Sequence, residues 1–214
     1  MRKVRFSYLC DGTEYIMANQ HSSSKRIATL GIYFAIVIVA FNLDSLLSLL
    51  LPIKFAIISI AIVSTLVLLS KNFFEAAIIG AFFGLASLIS QWYLPKVPAF
   101  LNPLCSVLPR IFVGLGTFGA YKLMFLIFKK ITAIKRRYFS AMFAGGSAAI
   151  INTVLVMLAL SIYKNDSYLT MIKAILLTNF LPEFIGGMIL VPLITLGVSK
   201  GAHMTIAGEH LLDT

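Results

Sequence analysis

The sequence predicts an all-α membrane protein with six transmembrane helices, and three observations support this fold class. The 214 residues are 59% hydrophobic and 12% charged, with a mean hydropathy of +0.95. A soluble domain of this size cannot bury so much apolar surface, whereas a helical bundle exposes it to lipid. Six apolar stretches reach the roughly 17–25 residues that a membrane-spanning helix needs. The basic residues lie mostly in the segments between these stretches.

The first three predicted spans cover residues 27–43, 53–70 and 73–94. The first span follows the basic pair Lys25 and Arg26, and the second follows Pro52. The third ends in Trp92 and Tyr93, an aromatic pair of the kind found at membrane interfaces.

The last three predicted spans cover residues 108–128, 138–163 and 170–199. The fourth span ends at Lys129 and Lys130, since charged residues are costly within the hydrocarbon layer. The fifth begins at Tyr138, directly after a second basic cluster, and the sixth ends just before Lys200.

The predicted spans divide the chain into three parts. Residues 1–24 are polar and lack the apolar core and cleavage site of a signal peptide, so they are expected to form a cytosolic lead-in. A short interfacial helix and a disordered tail are both open for this segment. Residues 25–200 are expected to form a six-helix transmembrane domain, and residues 201–214 are expected to form a cytosolic tail. The apolar stretch 43–52 is too short to span a membrane and is expected to form a re-entrant or surface loop.

The distribution of Lys and Arg predicts the orientation in the membrane. One side collects most of the cations: Arg2, Lys3, Arg5, Lys25, Arg26, Lys71, Lys129, Lys130, Lys135, Arg136, Arg137 and Lys200. The other side has scattered cations such as Lys96 and Lys164. The positive-inside rule therefore places both termini in the cytosol of a multi-pass cell-membrane protein, N-in and C-in. The same rule accounts for the net charge of +10, so nucleic-acid binding is not expected.

Polar side chains concentrate in the outer half of the predicted bundle. The inner half has almost none, apart from Glu75 and Lys122. A channel needs polar groups along its full depth, whereas a cup open to the outside needs them at one end only. The sequence therefore predicts an outward-facing binding cup with these candidate residues: Arg110, Asn152, Asn179, Glu183, Asn42, Trp92, Tyr93, Asn102 and Ser106.

The residue types in the predicted cup suggest a small polar ligand. The planar guanidinium of Arg110 suits a carboxylate or phosphate, and asparagine amides suit hydroxyl and amide groups. Glu183 is expected to accept hydrogen bonds from hydroxyls or to pair with Arg110. Four structural alternatives stay open: Arg110 reaching out to lipid headgroups, Glu183 acting as a structural partner of Arg110 or of a loop amide, Asn152 joining helices, and the aromatic pair serving only as an interface anchor.

Catalytic and metal-binding patterns are not found in the sequence. Cys10 and Cys105 are expected on opposite sides of the membrane, and neither has metal-ligand spacing around it. No phosphate-binding Gly-rich loop with a Lys occurs. The chain is therefore expected to be neither an enzyme nor a metal or cofactor protein.

Small residues recur at four-residue spacing in three predicted spans: Gly31 with Ala35, Gly80 with Gly84, and Gly116 with Ala120. Such pairs let helix backbones approach closely in lipid. They serve either the packing of this bundle or contact with a partner membrane subunit. Gly31 and Ala35 on the first helix are the candidate partner interface.

Three local motifs resemble a known transporter family. They are Asn102-Pro103 through Leu108-Pro109-Arg110-Ile111, Ile151-Asn152-Thr153, and Asn179-Phe180-Leu181-Pro182-Glu183 followed by Val191-Pro192. With the six-helix size and the basic loop between the fourth and fifth spans, they resemble the substrate-binding S components of energy-coupling factor (ECF) vitamin transporters. The resemblance covers roughly residues 25–200 and is greatest to the pantothenate branch.

The resemblance implies a transport function in a bacterial cell membrane. An S component captures a vitamin from outside, then associates with a transmembrane T component and, through it, with two cytosolic ATPases. Substrate release is thought to involve toppling of the S component in the membrane. Pantothenate is the favoured ligand, and another vitamin such as riboflavin is the alternative within the family. Two other classes stay open: a membrane-embedded enzyme acting on lipid head groups, and a self-sufficient facilitator.

Overall fold

The structure, a computed structural model, describes residues 4–50, 56–93, 98–164, 179–201 and 206. All regular elements within these residues are helical. The α-helices in chain order are α1 (Val4–Leu50), α2 (Ile57–Leu69), α3 (Phe73–Tyr93), α4 (Pro103–Ser106), α5 (Leu108–Ile127), α6 (Ala133–Lys164) and α7 (Leu181–Gly201). Two short 3-10 helices, Pro98–Leu101 and Phe128–Lys130, precede α4 and follow α5.

Five helices are long and apolar enough to cross a membrane: Arg26–Ser48 within α1, Phe73–Tyr93, Pro103–Lys130, Ala133–Tyr163 and Leu181–Gly201. Helix α2 is apolar but has only 13 residues, or about 20 Å at 1.5 Å per residue. The predicted second span starts at residue 53, and residues 53–55 lie outside the described part. The chain is therefore a helical bundle of the multi-pass membrane type.

Helix α1 differs most from prediction. It continues to Leu50, so the expectation of a loop over residues 43–52 is wrong for residues 43–50. This stretch contains no Gly or Pro to end a helix, and Pro52 is the first residue that disfavours helix before it. The segment predicted as a separate lead-in is also helical from Val4 onward and runs without a break into the first span.

The later helices differ less from prediction. Helix α6 begins at Ala133, five residues before the predicted start, so the basic residues 135–137 lie in its first turns. Helix α7 covers Leu181–Gly201, and residues 179–180 form a π turn directly before it. The predicted start of the sixth span at residue 170 lies outside the described residues.

Polar contacts join three helices at one end of the bundle. Ser59 at the start of α2 hydrogen-bonds Asp44 of α1. Ser45 of α1 and Ser90 of α3 share a hydrogen bond of 3.1 Å between their hydroxyls. We call this end, where α1 and α3 terminate and α2 and α5 begin, the cavity end; the opposite end is the far end.

Glycines permit several of the helix crossings. A Cβ on Gly80 or Gly84 of α3 would collide with the backbone at the start of α5, and one on Gly145 of α6 would collide with Gly187 of α7. These positions therefore serve packing inside the bundle. Gly31 differs, because an added Cβ there meets nothing within 4 Å, and Ala35 is also exposed.

Large rings fill the core beyond the cavity end. Phe83, Phe118, Tyr121 and Phe125 are at most 1% exposed. The Tyr121 and Phe125 rings stack with centroids 5.7 Å apart. By contrast, much of the apolar surface of α1 is exposed: 17% of its most apolar 18-residue window is buried within the described structure. Lipid is a suitable solvent for this surface.

The expectation that the inner half holds almost no polar groups is wrong for neutral hydroxyls. Six buried hydroxyl side chains lie toward the far end: Ser64, Thr65, Ser70, Thr117, Ser140 and Thr195. Thr117 donates to the Val113 carbonyl of its own helix at 2.7 Å, and Thr195 donates to Thr65 at 3.3 Å. A hydroxyl can form a hydrogen bond with a carbonyl of its own apolar helix. The hydropathy of the sequence therefore does not reveal where buried hydroxyls lie.

Candidate ligand-binding cavity

A cavity of about 250 Å³ lies at the cavity end of the bundle. Its lining comes from α1, α3, α5, α6, α7 and the short helix before α4. The polar lining includes Asp44, Ser87, Gln91, Arg110, Asn152, Asn179 and Glu183. The apolar lining includes Phe41, Phe100, Val156, Met157 and Leu160. A concave, mostly apolar site with a few polar groups is the usual form of a small-molecule site.

Arg110 is the only cation that the structure describes in the cavity lining. It stands in the first turn of α5 and is 5% exposed. Its Nη1 donates to the Ser106 carbonyl at 2.7 Å and contacts the Ser106 hydroxyl at 3.4 Å. Its guanidinium carbon lies 5.0 Å from the ring centre of Phe83 and 5.3 Å from that of Phe100. These contacts hold the guanidinium inside the protein, so it does not extend to the surface.

The guanidinium has a hydrogen-bond donor that no described residue accepts from. Nε of Arg110 is buried and has no hydrogen-bond partner within the described residues. An arginine carries five N–H donors, and a buried donor without a partner is costly. An anionic ligand oxygen would remove this cost.

Asp44 of α1 caps the start of α2 from a neighbouring helix. Its Oδ1 accepts from Ile58 N at 3.1 Å, and its Oδ2 accepts from Ser59 N at 2.7 Å. The Ser59 hydroxyl also donates to Oδ2. Ala56, the N-cap residue, makes no side-chain capping bond, so Asp44 satisfies amides that a helix start leaves without internal partners.

Glu183 of α7 also binds the start of α2. Its Oε1 accepts from Ala56 N at 3.1 Å, and the side chain is 6% exposed. This bond matches the alternative in which Glu183 is the structural partner of a backbone amide, whereas direct pairing with Arg110 is not seen among the described hydrogen bonds. Both residues line the same cavity.

Asn152 and Asn179 add amide groups to the lining. Asn152 of α6 is 8% exposed, and its Oδ1 has no hydrogen-bond partner within the described part of the chain. Asn179 lies in the π turn before α7. The structure thus brings four of the nine predicted site residues to one cavity: Arg110, Asn152, Asn179 and Glu183.

Two other predicted residues support the cavity from outside it. Ser106 is fully buried, donates to the Gly84 carbonyl at 3.0 Å and accepts from Arg110, so it positions the guanidinium. Asn102 caps α4, since its side chain accepts from Leu104 N at 3.1 Å. Neither residue lines the cavity.

The remaining predicted site residues lie away from the cavity. Trp92 and Tyr93 are 76% and 79% exposed at the end of α3, which suits interface anchors. Asn42 is exposed, and its amide donates to the Ile38 carbonyl of α1. In a helix, residues two apart point about 200° apart. Because Asp44 faces the bundle, Asn42 faces away from it.

Sequence reasoning missed one complete wall of the cavity. Phe41, Asp44, Ser45 and Ser48 of α1 all line it, at the spacing of a single helix face. This signal was present in the sequence. It was missed because the first span was predicted to end at Leu43, which placed Asp44 and the two serines in a loop.

The described residues contain no group of three or more His, Cys, Asp or Glu able to hold a metal ion. What the cavity offers is a guanidinium with unused donors, amide groups, two carboxylates held by backbone amides, and an apolar wall. This combination suits the binding of a small organic anion.

Comparisons with protein-family models, with curated proteins and with solved structures found no match.

Proposed function

We propose that this protein is the substrate-capture subunit of an ECF-type vitamin importer, with pantothenate as its ligand. The observation that carries the proposal is the convergence of Arg110, Asn152, Asn179 and Glu183 on one cavity. These residues come from α5, α6 and the segment around the start of α7. Buried polar side chains are expensive in a membrane protein, and a ligand site gives them a function.

The chemistry of pantothenate complements this lining. Its single carboxylate pairs with Arg110, whose Nε lacks a partner in the described structure. Its amide and hydroxyl groups offer donors for the free Asn152 oxygen and for Glu183. Its branched apolar middle packs against Val156 and Met157 of α6, which line the same cavity.

The cavity volume favours a compact vitamin over riboflavin. At about 250 Å³ it lies below the roughly 300–1,000 Å³ typical of sites for drug-sized ligands. The three fused rings of riboflavin and its side chain need more room than this. The alternative of a riboflavin-specific S component is therefore the weaker one.

The orientation and partners follow the same proposal. The cavity end faces outward and both termini are cytosolic, because the exposed cations Lys71, Lys129, Lys130 and Lys135 lie at the far end. A transmembrane T component, with two ATPases attached to it, binds the exposed face around Gly31 and Ala35. Open space at Gly31 supports this choice of surface.

A second candidate function is a self-sufficient facilitator. The buried hydroxyls toward the far end favour it, because they place polar groups below the cavity. Against it, the fully buried rings of Phe118, Tyr121 and Phe125 occupy the core, and a conduction path requires space rather than packed rings.

Two measurements on the purified protein separate these functions. Equilibrium binding of labelled pantothenate, riboflavin and other vitamins is expected to show nanomolar affinity for pantothenate without any partner protein. Proteoliposomes containing this chain alone are expected to take up no labelled pantothenate. Absence of binding to every vitamin of the panel would refute the capture function, and partner-free uptake would establish the facilitator.

A further inference from the structure

Asp44 and Glu183 lie at the cavity end but differ in role from Arg110. Both line the cavity, and they are 3% and 6% exposed. Buried carboxylates usually pair with cations. Here both are bound by backbone amides at the start of α2 instead: Asp44 by Ile58 and Ser59, and Glu183 by Ala56. We call this pair the α2-cap carboxylates.

The start of α2 stabilises negative charge on this pair. The first turn of a helix has unpaired N–H groups and carries about half a positive charge. The α2-cap carboxylates therefore do not need Arg110 as a counterion, and Arg110 stays available to a ligand. The cavity lining consequently combines a guanidinium from α5 with two carboxylates held at the start of α2.

The guanidinium and the α2-cap carboxylates set different requirements for the two ends of a ligand. At Arg110 an anionic oxygen is favoured. At the α2-cap carboxylates only hydrogen-bond donors such as hydroxyl or N–H groups are favoured, because ionised carboxylates accept and do not donate. An anionic group at this second end would face two like charges in a largely buried site.

We infer that the cavity admits ligands with one anionic group and hydrogen-bond donors at the other end, and excludes ligands that carry a phosphate at that other end. This inference rests on the proposed function and names its substrate class. Two unit charges about 6 Å apart, at an effective dielectric constant of about 20, change affinity by roughly a hundredfold. Specificity of this kind comes from repulsion of the wrong ligand.

The test compares three probes on the wild-type protein: pantothenate, 4′-phosphopantothenate, and the uncharged dimethyl ester of that phosphate. The dimethyl ester is bulkier than the phosphate but has no charge at the second end. We expect the phosphate to bind at least a hundredfold more weakly than pantothenate and at least tenfold more weakly than the dimethyl ester. Equal binding of phosphate and dimethyl ester, or exclusion of both, would overturn the inference, because size would then decide.

Variants of the α2-cap carboxylates supply the second arm. Glu183→Gln and Asp44→Asn each remove one charge and keep an acceptor oxygen. Each should therefore reduce the affinity gap, the ratio of the dissociation constants of the phosphate and the dimethyl ester, about tenfold. Glu75→Gln is the matched control, since Glu75 accepts from Lys71 N at the far end and should leave the gap unchanged. An unchanged gap in both cavity variants would overturn the inference. Failure of the wild type to bind pantothenate would instead refute the proposed function, and the inference with it.

Discussion

Arg110 illustrates how a single residue can acquire a function from its surroundings. An arginine near the end of a membrane helix ordinarily extends toward the headgroups. This one is held inward by the carbonyl of Ser106, at 2.7 Å, and by the rings of Phe83 and Phe100. The residue lines the cavity, and its Nε has no hydrogen-bond partner among the described residues, so an anion is a suitable partner for it.

Replacing Arg110 by Ala should weaken pantothenate binding at least about thirtyfold, because removal of one partner from a buried charge pair costs about 2–5 kcal/mol. Titration calorimetry on the purified variant measures this. Lys122→Ala is the control: Lys122 lies on the same helix, is exposed and contacts Phe118. Unchanged affinity in Arg110→Ala would remove Arg110 from the site.

The same scale shows what the sequence could and could not predict about the site. Arg110, Asn152, Asn179 and Glu183 were predictable, because an ionisable or amide group within an apolar helix stands out. Asp44 was not recognised, although it sits two residues from the predicted Asn42. The choice between them depends on which side of α1 faces the bundle, and that is decided by the helices packed against α1.

Among the elements, α2 depends most on its neighbours. It is short, and the amides of Ala56, Ile58 and Ser59 at its start are satisfied by side chains of α1 and α7. Its N-cap residue supplies no side-chain bond. The position of α2 is therefore set by tertiary contacts.

Asp44→Ala should lower the free energy of unfolding by about 2 kcal/mol, since it leaves buried amides of α2 without acceptors. Asn42→Ala is the matched control on the same helix. Its exposed amide contacts only its own helix among the described hydrogen bonds, so the change should stay within about 0.5 kcal/mol. Thermal or denaturant unfolding in detergent measures both, and equal effects would contradict the capping role of Asp44.

The crossing of α6 and α7 gives a second prediction about elements. Gly145→Ala should destabilise the protein by about 1–3 kcal/mol, because its new Cβ collides with the Gly187 backbone. Gly119→Ala on α5 meets nothing within 4 Å and should instead stabilise by about 0.4–1 kcal/mol. Unfolding measurements that rank the two variants in the opposite order would contradict the described crossing.

Hydropathy predicted some helix bounds well and others poorly, for a physical reason. The third and fourth spans, predicted as 73–94 and 108–128, agree closely with Phe73–Tyr93 and Leu108–Ile127, because clear polar boundaries flank them. The end of α1 at Leu50 was mispredicted. The predicted span ends at residue 43, directly before Asp44, but this carboxylate is bound by the backbone amides of α2, a contact that local sequence does not reveal.

At the scale of the whole molecule, charge and polarity separate along the bundle. The cavity and its ionisable lining lie at one end, and the exposed basic residues of the α5–α6 connection lie at the other. Between them the core is filled by rings and neutral hydroxyls. In the proposed function, the ligand binds at the cavity end and a partner subunit is needed to release it at the far end.

The orientation can be measured with single cysteines. In a chain with Cys10 and Cys105 replaced by Ser, Lys130→Cys should react with an impermeant maleimide only after cells are permeabilised. Leu101→Cys, exposed near the cavity end, should react in intact cells. The positive-inside distribution is the physical reason. Reversed accessibility of the two cysteines would contradict the proposed outward-facing cavity.

The most direct test of the central claim is an experimental structure of the purified protein with pantothenate bound. We expect the ligand in the cavity between α1, α5, α6 and α7, with its carboxylate within hydrogen-bond distance of the Arg110 guanidinium and its hydroxyls toward Asp44 and Glu183. A ligand bound elsewhere, or one whose carboxylate has no contact with Arg110, would contradict the account.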